Sequence, residues 1–246
     1  MRLTQLLSDS PRNAILIGLC FLVLLILPWL HLLPETSSFH LSAYWITLIG
    51  KIMALAMVAL ALDLVWGYAG ILSLGHGLYF ALGGYAFGMY LTRETAGTGL
   101  PDFMRFLSWT ELPWYWAGTQ HFWWAMALVV LVPGLVAFIF GYFAFRSKIK
   151  GVYFSIITQA MTYAAALLFF RNETGFGGNN GFTGFTTLLG YDITASSTRA
   201  VLCFTTALAL LLSYLGLRYL MSQPYGRVLG AIRDSENRLQ YLGYRT

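Results

Sequence analysis

The sequence predicts an all-α fold: a polytopic transmembrane helix bundle of about six spans, with its N-terminus in the cytoplasm. Three observations carry that expectation. Of 246 residues, 58% are hydrophobic and only 10% are charged, whereas a soluble domain has about 45–50% apolar and about 25% charged residues. The apolar residues gather in runs of about 20, the length that crosses a bilayer as a helix. Lysine and arginine cluster at the ends of those runs and favour one side. The net charge of +5 is therefore a topology signal, and no nucleic-acid partner is expected. Cys20 and Cys203 both sit inside apolar runs and read as small packing residues rather than a disulfide or metal pair.

The first run covers residues 14–33. Arg2 and Arg12 precede it, as in a signal peptide, but it exceeds an h-region of about 7–15 residues and no small-residue cleavage site follows. It reads as a retained helix. The second run covers 41–62, the glycine-rich third 71–91, the fourth 122–145, the fifth 152–170 and the sixth 198–220. With the N-terminus inside, the inner face carries ten cations: Arg2, Arg12, Arg146, Lys148, Lys150, Arg218, Arg227, Arg233, Arg238 and Arg245. The outer face carries four, Arg93, Arg105, Arg171 and Arg199, and Lys51 falls within a span. That asymmetry sets the orientation. Trp114, Trp116, Trp123 and Trp124 flank the fourth span as an interfacial aromatic belt would. The outer loop 92–121 is expected to lie along the outer surface. No internal repeat divides the chain, which reads as one membrane domain over 1–246.

The third run opens on Asp63-Leu64-Val65-Trp66-Gly67-Tyr68-Ala69-Gly70-Ile71-Leu72-Ser73-Leu74-Gly75-His76-Gly77, with further glycines at 83, 84 and 88. Glycine permits close helix approach and equally a break in the helix. Breaks at membrane depth occur only where the backbone is buried in protein or lines a wet cavity, as around transporter binding sites. Both readings stand, and Ser73, Gly75, His76 and Gly77 are the candidate solute-path residues of this stretch. Ionisable groups in or near spans are functional candidates. The competing reading for Asp63 is a cytoplasmic helix end, and for His76 a hydrogen-bonded packing role.

After the fifth run comes Arg171-Asn172-Glu173-Thr174-Gly175-Phe176-Gly177-Gly178-Asn179-Asn180-Gly181-Phe182-Thr183-Gly184-Phe185. Its glycines allow tight turns, and its asparagines both donate and accept hydrogen bonds. Asn172, Glu173, Gly177, Gly178, Asn179 and Asn180 are candidates for contact with a small amide-like solute. A purely structural turn at the outer mouth is the other reading. The stretch lacks the Gly-Lys-Ser/Thr ending of a phosphate loop.

On the inner side, residues 146–151 are a topology anchor. Residues 223–238 say more. Pro224 opens a helix, and Val228, Leu229 and Ile232 make a short apolar stripe. Asp234 and Arg238 are spaced to support a helical turn, and Asp234 or Ser235 can cap a second helix starting near Glu236. Helix, sharp turn and new helix make a lever; a basic surface helix on anionic lipid is the alternative.

These pieces together resemble the M-type permease subunits of branched-chain amino acid ABC importers, and most closely their urea-transport relatives. The similar stretches are Asp63 to Gly70 with Leu72 to Gly77 and Gly83-Gly84-Tyr85, Lys150-Gly151-Val152-Tyr153-Phe154-Ser155-Ile156-Ile157-Thr158-Gln159-Ala160, Phe169-Phe170 through Gly181, and Gly226-Arg227 through Asn237. The urea assignment rests on the third. The resemblance implies a multi-pass bacterial inner-membrane subunit that pairs with a second related permease. It also implies two ATP-binding-cassette ATPase subunits inside, a solute-binding protein outside, and contact with membrane lipid. Gly226, Arg227, Ala231, Ile232, Arg233, Asp234, Glu236 and Asn237 would be the ATPase-docking residues. ATP would be bound by the partners. The chain itself would be no enzyme and would need no cofactor or metal. Members of the family continue past the docking segment with further spans, so the resemblance implies a truncated member that does not transport alone.

Rival readings are a passive small-solute channel and a non-transporting membrane assembly subunit. Replacing Arg233 and Asp234 would leave a channel untouched but uncouple an importer. An intramembrane enzyme is disfavoured: there is no His-Glu-x-x-His or Gly-x-Ser-x-Gly motif, and His31, His40, His76 and His121 lack metal-ligand spacing.

Overall fold

Helices form where the apolar runs predict them. In a computed structural model that describes residues 10–97, 99–149, 151–241 and 243, the elements in chain order begin with α1 (Pro11–Leu30) and α2 (Ala43–Asp63), which continues as a π turn (Leu64–Tyr68). Next come α3 (His76–Ala96), a short α4 (Asp102–Phe106), α5 (Phe122–Arg146) and α6 (Val152–Phe169). The antiparallel pair β1 (Thr187–Leu188) and β2 (Tyr191–Asp192), then α7 (Ser196–Ser222) and α8 (Pro224–Tyr241), complete the order. Five of these helices, α1, α2 with its π turn, α5, α6 and α7, are long and apolar enough to cross a membrane. The predicted third span is a helix of 21 residues, but its glycines and the Arg93–Glu94 pair keep it below that apolarity. It also begins at His76 rather than Ile71, because residues 69–75 lie outside any helix.

Two compact units result. One runs up to Ile71 and resumes at Thr194. In it, α7 packs against α1 and α2. Ala200, Cys203, Ala207 and Leu210 repeat at helical spacing along one face of α7 and meet Ile46 and Met53 of α2. Three of those four are small, which lets the backbones approach. Cys203 is 4% exposed and fills this seam. Phe21 of α1 stacks obliquely on Tyr214, and Trp29 meets Phe204 edge-on.

The second unit is Leu72–Ile193. Here α3 packs along α5, and a Cβ on Gly83 would stand 3.3 Å from the Val129 carbonyl, so glycine sets that close approach. At the far end of α3, Met89, Met104 and Trp116 form a core ringed by Tyr85, Phe103, Phe176 and Phe182. Trp116 therefore corrects the aromatic-belt expectation. It is 6% exposed, and burial of its polar N–H is made tolerable by a hydrogen bond to the Gly175 carbonyl at 3.1 Å. Trp114 and Trp123 are more than four-fifths exposed, as a belt requires.

Large apolar side chains elsewhere stay open. Leu16, Leu19 and Val23 on α1, and Val130, Leu135 and Phe138 on α5, are each more than half exposed. Water does not tolerate such patches, and lipid or partner helices do.

Candidate functional site

The glycine-rich stretch holds the junction between α2 and α3, while α3 itself runs unbroken from His76 to Ala96. The π turn that ends α2 closes on Gly70, whose φ is +71°, the left-handed conformation that glycine adopts at helix C-termini. A helix end leaves its last carbonyls without intrahelical partners. Two of them are answered locally: Gly70 N–H donates to Trp66 O at 3.1 Å and Ile71 N–H to Val65 O at 3.0 Å. The next, Gly67 O, is answered from α8: Arg233 Nη1 donates to it at 2.7 Å. A guanidinium at a helix C-terminus also opposes the negative end of the helix dipole. Gly70 lies directly beneath the same side chain, since a Cβ there would stand 2.5 Å from Arg233 Cγ.

That contact places the predicted docking segment on the end of α2. The segment has the expected shape: α8 is interrupted at Ser235 (φ −166°, ψ 94°), with helix on either side. Ser235 holds the extended conformation of an N-cap residue. One detail is corrected. The kink falls between Asp234 and Arg238, so these two do not share one continuous helix. Asp234 pairs instead with Arg233, Nε to Oδ1 at 3.2 Å, an exposed pair of small energetic weight. Ala231 and Ile232 are half-buried, Arg227, Asp234 and Asn237 are exposed, and Gly226 is buried. A Cβ on Gly226 would collide with the Met221 carbonyl, so glycine permits the tight passage from α7 to α8. The side chain of Glu236 lies outside the described residues. Asp63, the last residue of α2, borders a hollow of about 200 Å³ together with Tyr68, Tyr214 and Arg218.

In the second unit, the backbone before α3 is tied to α6. Ser155 Oγ donates to Leu72 O at 2.8 Å, Thr158 Oγ1 accepts from Leu74 N–H at 3.0 Å, and Thr162 Oγ1 donates to Leu74 O at 3.3 Å. Ser73 and Gly75 are buried here, and Gly75 N–H reaches Ser73 Oγ at 3.4 Å. His76 is half-buried and its Nδ1 faces Ser73 O at 3.3 Å, the geometry of the packing reading. Gly75 touches α6, with a virtual Cβ 3.3 Å from Met161 Cε. Gly77 is exposed, and an added Cβ there would meet nothing within 4 Å among the described residues, so crowding does not account for the glycine.

The outer loop is a folded object. Gly177 (φ +81°) and Gly178 both lie in left-handed backbone and are buried. A Cβ on Gly177 would strike the Gly181 backbone, and one on Gly178 the Asn172 side chain. Tyr115 OH donates to Thr174 O at 2.8 Å, and burial raises the Tyr115 phenol above its ordinary pKa. Phe176 and Phe182 pack onto Tyr85 with centroids 5.2 and 5.3 Å away. Asn172 and Glu173 line an open hollow of about 920 Å³ together with Trp109, Glu111 and Trp114. Asn179 and Asn180 are exposed. The predicted path residues thus form two sets, Ser73–Gly77 at the start of α3 and the loop 172–180, which is followed by Phe182 packed on Gly88 farther along that helix. The Arg233–Gly67 contact and the α6 hydroxyls were not expected as functional elements. The signal for the second was present as Ser155, Thr158 and Thr162, hydroxyl residues at i, i+3 and i+7 on one apolar helix.

Comparison with known proteins adds three findings. The family model described as "Branched-chain amino acid transport system / permease component" matches residues 44–246. The high-affinity branched-chain amino acid transport system permease protein LivM of Salmonella typhimurium is 27% identical over 213 residues, covering 78% of this chain and 44% of LivM. The chain therefore spans less than half the length of that relative. No solved structure matches.

Proposed function

From the premise that the chain belongs to the branched-chain amino acid transport system permease family, we propose that it is a membrane-spanning subunit of an ATP-driven importer. The chain is a multi-pass protein of the inner membrane, with five helices long and apolar enough to cross it among the described residues. The reading takes its solute to be urea or a small polar solute like a branched-chain amino acid, crossing with a second related permease. Two ATP-binding-cassette ATPases act from the cytoplasmic side, where the N-terminus also lies. An extracytoplasmic solute-binding protein delivers the solute to the outer loop. The chain supplies no bond chemistry of its own.

The observation that carries this reading is the kinked α8 with Arg233 seated on Gly67 O. A channel needs no such part, whereas an importer needs a rigid piece that receives a push and passes it to a membrane helix. Here the receiving surface is the exposed Arg227, Asp234 and Asn237 of α8, and transmission runs through half-buried Ile232 and through Arg233, which is exposed but bonded to Gly67 O. Resemblance of the Phe169 to Gly181 stretch to urea-transport relatives favours urea among the solutes.

The test is ATP-dependent uptake of labelled urea and labelled leucine into vesicles carrying the assembled complex. Uptake of urea that requires ATP, with leucine taken up at least about tenfold more slowly, is the expected result; a tenfold preference corresponds to about 1.4 kcal/mol of differential recognition. Uptake of either solute without ATP would identify a channel.

A further inference from the structure

A buried connection between two helices leaves backbone N–H and C=O groups that must find partners within the protein. Leu72–Gly75 lies outside any helix in the link between α2 and α3, and α6 supplies partners for its backbone. We infer that Ser155, Thr158 and Thr162 are positioning residues of the solute path, holding Ser73–Gly77 open; this rests on the permease reading above. Each hydroxyl answers a particular backbone group: Leu72 O, Leu74 N–H and Leu74 O. Ser155 and Thr158 are 8% and 0% exposed, so water does not stand in for them.

The three rungs differ in how firmly they hold. Thr158 is the central one. Its proton goes to Ser155 O at 2.9 Å, which leaves its oxygen lone pairs turned to Leu74 N–H. Without that oxygen the Leu74 amide has no described acceptor. Thr162 has an alternative, because its hydroxyl lies 2.9 Å from Thr158 O and 3.3 Å from Leu74 O. It can release Leu74 O without stranding its own proton. The ladder is therefore fixed at Ser155 and Thr158 and releasable at Thr162. That asymmetry suits a segment that keeps its non-helical form while shifting slightly as solute passes.

The test compares T158V, which keeps the shape and removes the oxygen, with T158S, which restores it, in the assembled complex. Two quantities are read: hydrogen exchange at the Leu74 amide and ATP-driven solute uptake. T158V is expected to speed Leu74 exchange by about tenfold or more, the equivalent of one lost hydrogen bond. It is also expected to lower uptake by a similar factor with assembly unchanged, and T158S is expected to recover both. A purely structural role would lower the yield of complex without changing uptake per assembled complex, which would overturn the inference. Unchanged Leu74 exchange in T158V would overturn the ladder itself. Faster exchange with unchanged uptake would overturn its place on the path. Should T158V fail to assemble, T162V serves, with smaller changes expected in the same two readings and unchanged values in both overturning the inference. If the wild-type complex moves no solute, the permease reading fails while the exchange data still decide the ladder.

Discussion

Gly70→Ala is expected to uncouple ATP hydrolysis from uptake. The residue sits at φ +71°, where a side chain costs about 1–3 kcal/mol. The added methyl would also stand 2.5 Å from Arg233 Cγ and 3.3 Å from Arg233 Cβ. Both penalties fall on the same junction. Relief comes either by unwinding the end of α2 or by lifting Arg233 away from Gly67 O, and each breaks the contact between α8 and the membrane helix. Uptake should fall by one to two orders of magnitude, the range that about 1–3 kcal/mol implies. The proposed docking residues on α8 are untouched, so the ATPases should still bind and hydrolyse ATP. Arg233→Ala should reproduce the phenotype without the backbone strain. Loss of ATPase binding in G70A would instead show that the junction serves docking rather than transmission.

Gly177→Val is expected to abolish uptake by a different route. Gly177 has φ +81°, and the nearest atoms to an added Cβ belong to the Gly181 backbone, which cannot rotate aside. The β-branched side chain makes a left-handed conformation more costly still. The turn would have to open, pulling Phe176 and Phe182 from the aromatic group around Tyr85. A loss of at least about 2 kcal/mol in stability is expected, read as a lower melting temperature of the complex, together with loss of uptake. Gly178→Val should be milder, because its added Cβ meets the Asn172 side chain, which can swing away. Equal effects at 177 and 178 would argue that the loop reads solute directly. Unchanged uptake in both would refute any role for it.

Much of this was legible in the sequence because a bilayer leaves few options. Runs of about 20 apolar residues have to be helices, and five of the six expected spans end within a few residues of the observed helices. The kink of α8 was legible too, since Pro224, the short apolar stripe and a capping Ser235 are local signals. The third span was misplaced at its start, because hydropathy counts Ile71, Leu72 and Leu74 as apolar whether or not they are helical. The local glycines flagged a break there, but the hydroxyls bonded to its backbone lie more than 80 residues away, and no local pattern encodes that pairing. Trp116 was misassigned for the same reason: four tryptophans near a span look alike until one of them finds Gly175 O. For the glycines of the outer loop, sequence left two readings open. Their backbone angles account for Gly177 and Gly178 structurally, and leave Asn172, Glu173, Asn179 and Asn180 as the exposed groups able to meet solute.

An importer subunit of this kind requires that α8 be an ATPase-docking lever. The deciding measurement is capture of the ATPase subunits by this protein in membranes, with the wild type and with Arg227, Asp234 and Asn237 replaced by alanine. These three side chains are exposed, so their loss should leave the fold intact. If α8 is that lever, the wild type captures the ATPases, the triple variant does not, and R233A still does while failing to couple. Equal capture by the wild type and the triple variant would contradict it.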